Sequence, residues 1–136
     1  MPHVVVQYTA NLDPDAQIGA LCKALAEIIV AQRDAAGGRV FPIGGTRVLA
    51  YPAAHHAVAD GSGDPAFAYL HLRMGRGRSE ATRQRAGAAL LDAARAHFTP
   101  LLNSRALGLT LQIDEGPEVF DAKFGNLHAH LAKKTP

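Results

Sequence analysis

Cysteine and tryptophan are the scarcest residues in this chain: of 136 residues one is cysteine and none is tryptophan. The lone Cys22 excludes an internal disulfide, so any fold must rest on its apolar core. No apolar run approaches the roughly 20 residues that a membrane-spanning helix needs. The first residues also lack the basic-then-apolar layout of a secretory signal, and the expectation is a soluble, cytoplasmic protein. A formal net charge of +2 is too small to call for nucleic acid. The glycines of "GRGRS" have no GxxxxGK(S/T) context and form no phosphate loop. His55 and His56 are adjacent and His128 and His130 are two apart, so neither pair has the helical i, i+4 spacing of a metal site. No metal is expected.

What is present is a chain that is 48% hydrophobic, long enough to bury a core without staples, and it reads as a single domain, 1–136. "HVVVQY" is a β-branched run that predicts a strand. Asp13 then reads as a helix N-cap with Pro14 in the first helical position, and Ile18, Leu21, Leu25, Ile28 and Ile29 recur at helical spacing until Gly37 and Gly38. "FPIGG" marks a turn before a strand "TRVLAY" that puts Arg47, Leu49 and Tyr51 on one face. In "FAYLHLRM" alternation sets Ala68, Leu70, Leu72 and Met74 on the core side, opposite Phe67, Tyr69, His71 and Arg73.

Ser79 caps a second helix with Glu80 in its first turn, predicted to stop at Thr99 and Pro100. Its apolar side is expected to carry Ala86, Leu90, Ala93 and His97. "ALGLTLQID" alternates again, with Leu107, Leu109, Leu111 and Ile113 on one face. The order strand, helix, strand occurs twice, an internal repeat of approximately 1–60 and 61–136. It predicts an α/β (α+β) fold with a four-stranded sheet and two helices on one face. The other face then needs a cover, and a second subunit of a symmetric oligomer supplies it.

Two features carry chemistry. Pro2 stands at the head of the first strand, and loss of Met1 would make its nitrogen a free secondary amine. Arg73, Arg76, Arg78, Arg83 and Arg85 crowd into "RMGRGRSEATRQR", a positive field suited to an anion.

"MPH" heading a strand, "FPIGGTRV" in mid-chain and "GRGRSEATRQRAGAALLDAARAHFTPLLNSRALGLTLQIDE" resemble the 5-carboxymethyl-2-hydroxymuconate isomerases. These belong to the tautomerase superfamily, with 4-oxalocrotonate tautomerase and macrophage migration inhibitory factor. The resemblance spans nearly the whole chain, and the close relatives it points to are trimers of a duplicated β-α-β unit. It implies that Pro2 is the catalytic base and that Arg47 and Arg78 bind the substrate carboxylates and assist catalysis. It also implies no cofactor and a di- or tricarboxylate substrate of homoprotocatechuate (4-hydroxyphenylacetate) breakdown.

The halves are unequal, because Leu12 stands where the second half has Arg78 and the nitrogen of Pro65 is an internal amide. One catalytic set per chain follows. Other superfamily chemistry on unsaturated acids (decarboxylation, hydration, dehalogenation) uses the same proline and arginines. A non-catalytic oligomer binding a polyanion is the alternative of another class, and it gives Pro2 no role.

Arg73, Arg76, Arg83 and Arg85 read as solvated face. His3 reads as a structural strand residue beside the pocket mouth and Cys22 as a core thiol. Tyr51 and Phe67 suit an active-site wall and core packing equally. Gly116 to Pro136 reads as a tail crossing a subunit boundary.

Overall fold

The computed structural model describes residues 2–132, so the fate of Met1 and the last four residues of the tail lie outside the described residues. Strand β1 (His3–Thr9), helix α1 (Ile18–Ala31) and strand β2 (Arg47–Ala53) are followed by strand β3 (Ala66–Met74), helix α2 (Glu80–Leu102) and strand β4 (Leu107–Glu115), and a short α3 (Leu127–Ala132) follows. The sheet order is β2-β1-β3-β4. β1 runs parallel to β2 and β3 to β4, while β1 and β3 are antiparallel. Each β-α-β unit thus closes as a parallel pair through its own helix, and the two units meet at the centre of the sheet.

One face of the sheet is covered. Val4, Val6 and Tyr8 of β1 and Ala68, Leu70, Leu72 and Met74 of β3 are buried against Leu21, Leu25 and Ile29 of α1 and Leu90 and Phe98 of α2. Burying each large side chain of this set stabilises the fold by about 1.5–3 kcal/mol relative to exposure. On the opposite face Leu49 and Tyr51 remain 49% and 54% exposed. There Tyr69 pairs with Gln112 and His71 with Asp114 across β3 and β4.

Helix α1 does not begin at Asp13. Residues Ala10–Leu12 first make a 3-10 turn that carries Leu12 into the core, and the Tyr8 hydroxyl donates to Asp13 Oδ1 at 2.5 Å. The helix starts at Ile18 instead, after Gln17 reverses the chain in the left-handed region (φ 48°) without a side-chain cap. A local capping signal yields here to a tertiary partner.

Ser79 does cap α2, accepting from the Thr82 N–H at 3.2 Å. The helix runs through Pro100 to Leu102, because the carbonyl left without a donor belongs to Ala96 on the exposed side. Its buried stripe is Thr82, Ala86, Leu90, Ala94 and Phe98, stepping by four. Ala93 and His97 sit at its margin, and His97 Nε2 is tied to the Ala16 carbonyl at 2.6 Å. Of the tail, α3 sits on the turn Ile43–Gly45, while Val119, Phe120 and Phe124 stand exposed.

Candidate active site

β1 and β2 begin at one end of the sheet, where β3 and β4 finish. Pro2 is buried there. Its carbonyl accepts the Arg47 N–H at 3.2 Å, which extends the parallel ladder by one residue and fixes the strand that carries Arg47. The turn before β2 is closed by the Thr46 hydroxyl, which donates to the Pro42 carbonyl at 3.0 Å. Gly44 is required in that turn because a Cβ would come within 2.8 Å of His128 Nδ1 and 3.1 Å of the His128 Cα. Gly44 of "FPIGG" therefore admits α3, a partner that no local pattern announces.

Arg47 Nη1 donates to the Gly45 carbonyl and lies 3.3 Å from His3 Nε2. A guanidinium can only donate, so Nε2 must be the acceptor and the imidazole neutral. Desolvation lowers the His3 pKa from its usual 6.5, and the charges of Arg47 and Arg73 lower it further. His3, Arg47 and Arg73 line a cleft of about 370 Å³ with Lys123 and Phe124 from the tail. Glu118 partly closes the cleft by pairing with Arg73 at 3.0 Å.

Arg78 occupies the same end of the sheet from the helix side. The chain leaves β3 at Met74, turns through Gly75 and Gly77, the latter at φ +111° where a side chain would be strained, and enters α2 at Ser79. Arg78 Nε and Nη2 donate to the Val40 carbonyl at 3.4 and 3.2 Å, and Nη1 donates to the Gly75 carbonyl at 3.1 Å. Its guanidinium lies over the Phe41 ring. Desolvation lowers the Arg78 pKa and the Glu115 carboxylate opposes that, so the cation is half-buried but still charged.

The structure thus joins Pro2 directly to Arg47 and sets Arg78 at the same sheet end on separate partners. Tyr51 pairs with Gln7 in the register, toward the end of β1 remote from Pro2, and Phe67 lies near Thr9 at that remote end. Neither walls this site. Cys22 is half-buried and burial pushes its thiol pKa up. Arg73 and Arg83 are not simply solvated, since both pair with carboxylates at the Pro2 end. Among the described residues no group of His, Cys, Asp and Glu could hold a metal ion, and no helix is long and apolar enough to cross a membrane.

The chain is similar to known proteins over almost its full length. The family model "5-carboxymethyl-2-hydroxymuconate isomerase" matches residues 2–131. The chain belongs to that family. It is 33% identical over 129 residues to the 5-carboxymethyl-2-hydroxymuconate Delta-isomerase of Escherichia coli, covering 95% of this chain and 98% of that one. A crystal structure of a 5-carboxymethyl-2-hydroxymuconate delta-isomerase superposes with a TM-score of 0.92 at 58% identity, covering 96% of this chain and 93% of the other. A fused 4-OT symmetric trimer, 23% identical with a TM-score of 0.56 over 88% of this chain and 91% of that one, shares the fold alone. As a member of the 5-carboxymethyl-2-hydroxymuconate isomerase family, the chain is an isomerase, with the tautomerase-like fold that the resemblance implied and the four-stranded sheet that the repeat predicted.

Proposed function

We propose that this isomerase converts 5-carboxymethyl-2-hydroxymuconate to its 2-oxo isomer, with the nitrogen of Pro2 as the base. The observation that carries the reading is the gathering of Pro2, Arg47 and Arg78 at one end of the sheet. With Met1 removed, Pro2 presents a secondary amine. A peptide amino terminus ionises near 8, and burial among cationic groups disfavours its charged form, which brings it toward the pH where a base works best. The amine takes the proton of the 2-hydroxyl, negative charge spreads over the dienolate, and the same proton is returned to the conjugated carbon. No atom is gained or lost, and no cofactor is called for.

Arg47 and Arg78 offer paired N–H groups that suit carboxylates and oppose the charge that develops on the dienolate. The sheet face carrying Leu49 and Tyr51 favours burial in a homotrimer, which would bring a neighbour's residues to the cleft. Homoprotocatechuate breakdown in the cytoplasm is the setting this substrate implies.

The test is ultraviolet-monitored ketonisation of 5-carboxymethyl-2-hydroxymuconate beside 2-hydroxymuconate, with wild type and Pro2→Ala, after intact mass has established that Met1 is absent. Loss of most turnover in the variant supports the reading, and near-normal turnover would falsify it.

A further inference from the structure

Arg83 lies on the first turn of α2 and is not part of the substrate grip proposed above. Its side chain folds back over the helix start, where Nη1 donates to the Arg78 carbonyl at 2.6 Å and pairs with Glu115 Oε1 at 3.0 Å. Both charged side chains are about 30% exposed, so water screens the pair only in part. Glu115 is the last residue of β4, directly opposite Met74 in the register. The next residue, Gly116, donates its N–H to the Met74 carbonyl at 2.9 Å.

The loop between β3 and α2 is therefore tied at both ends to the end of β4: at Met74 through the backbone of Gly116, and at Arg78 through Arg83 and Glu115. Between the ties stand Gly75, Arg76 and Gly77, a stretch with little stiffness of its own. Arg78 makes its own bonds to the Val40 and Gly75 carbonyls, and those bonds hold only where its backbone is held. We propose that Arg83, anchored by Glu115, is a positioning residue that fixes Arg78 for the carboxylate of the substrate. This rests on the role given to Arg78 above.

The geometry has a consequence for kinetics. A displacement of about 1 Å in a positioned group can cost on the order of a hundredfold in rate. Loss of a partly exposed ion pair alters stability little. Activity and stability should therefore separate.

The experiment compares kcat and KM for the ketonisation of 5-carboxymethyl-2-hydroxymuconate in wild type, Arg83→Ala, Arg83→Lys, Arg78→Ala and the Arg78→Ala/Arg83→Ala double variant, with thermal unfolding of each. Arg83→Ala should lower kcat/KM by roughly ten- to a hundredfold while its unfolding midpoint stays within a few degrees of wild type. Arg83→Lys, which keeps one donor to the carbonyl, should recover part of the loss. In the Arg78→Ala background Arg83→Ala should cost almost nothing more, because the residue it positions is gone. Losses that multiply in the double variant, or full activity in Arg83→Ala beside an impaired Arg78→Ala, overturn the positioning role and leave the carboxylate grip standing. Full activity in Arg78→Ala removes the grip itself, and the positioning role with it.

Discussion

Arg78 lies across the face of Phe41, with its guanidinium carbon 4.6 Å from the ring centroid. Phe41 is fully buried, so this contact couples a core side chain to a charged group at the candidate site. A cation over an aromatic face gains about 0.5–2 kcal/mol, more as water is excluded. Phe41→Leu keeps an apolar body in the core and removes the π face. The variant should lose about 1–2 kcal/mol of stability, and KM for a carboxylate substrate should rise several-fold as Arg78 loosens. Thermal melts and steady-state kinetics check this, and an unchanged KM in the destabilised variant would mean that Phe41 serves packing alone.

His3 should titrate below its usual 6.5, because desolvation and the charges of Arg47 and Arg73 disfavour its protonated form. The unfolded chain then binds this proton first as pH falls. Stability tied to His3 is therefore fully present above about pH 6.5 and is lost as pH falls through that value toward the lower folded pKa. In Arg47→Ala the midpoint should move upward part of the way, since desolvation remains. Proton NMR of the imidazole, followed against pH in both proteins, reads it. A midpoint indifferent to Arg47 would dismiss the electrostatic link.

Asp13 contributes through Tyr8 rather than as a helix cap. Asp13→Ala should cost about 1 kcal/mol, and the same change in a Tyr8→Phe background should cost little. A cap would show the full loss in both backgrounds. Desolvation and the Asp13 bond push the Tyr8 pKa up to about 12, so Asp13→Ala should also lower the alkaline titration of Tyr8, seen by ultraviolet absorbance.

Gly44→Ala should detach α3, because the added methyl meets both the ring and the backbone of His128. Hydrogen exchange should quicken at the His130 amide, which bonds to the Asn126 carbonyl at 3.1 Å. Adding His128→Ala should not restore protection, since the Cα remains in the way. Restored protection would place the conflict in the ring alone.

Much of the architecture is written in local periodicity. Alternation in "FAYLHLRM" assigns the core face of β3, and the spacing of Leu21, Leu25 and Ile29 assigns that of α1, because period-2 and period-3.6 patterns are the condition for burying one side of an element. Ser79 caps α2 as read, since its acceptor and donor lie three residues apart. The repeated strand-helix-strand order was enough to expect four strands with both helices on one face.

Where polar groups find partners outside the periodicity of their own element, local pattern carried no signal. Asp13 has the sequence of a cap and is taken by Tyr8, five residues back on β1. Arg83 has the sequence of a solvated helix residue and is taken by Glu115 from β4. The glycines of "FPIGG" read as a turn, and the need for Gly44 comes from a helix near the other end of the chain. By itself the sequence determined the core faces of β3 and α1 and the order of the elements, and the resemblance it carries pointed to Pro2, Arg47 and Arg78. The tertiary structure alone decided that these three stand at one end of the sheet and which groups hold Arg47 and Arg78 there. The physical reason is that burial is a property of a residue and its near neighbours in sequence, whereas a charged group's partner is chosen by where the folded chain brings its opposite.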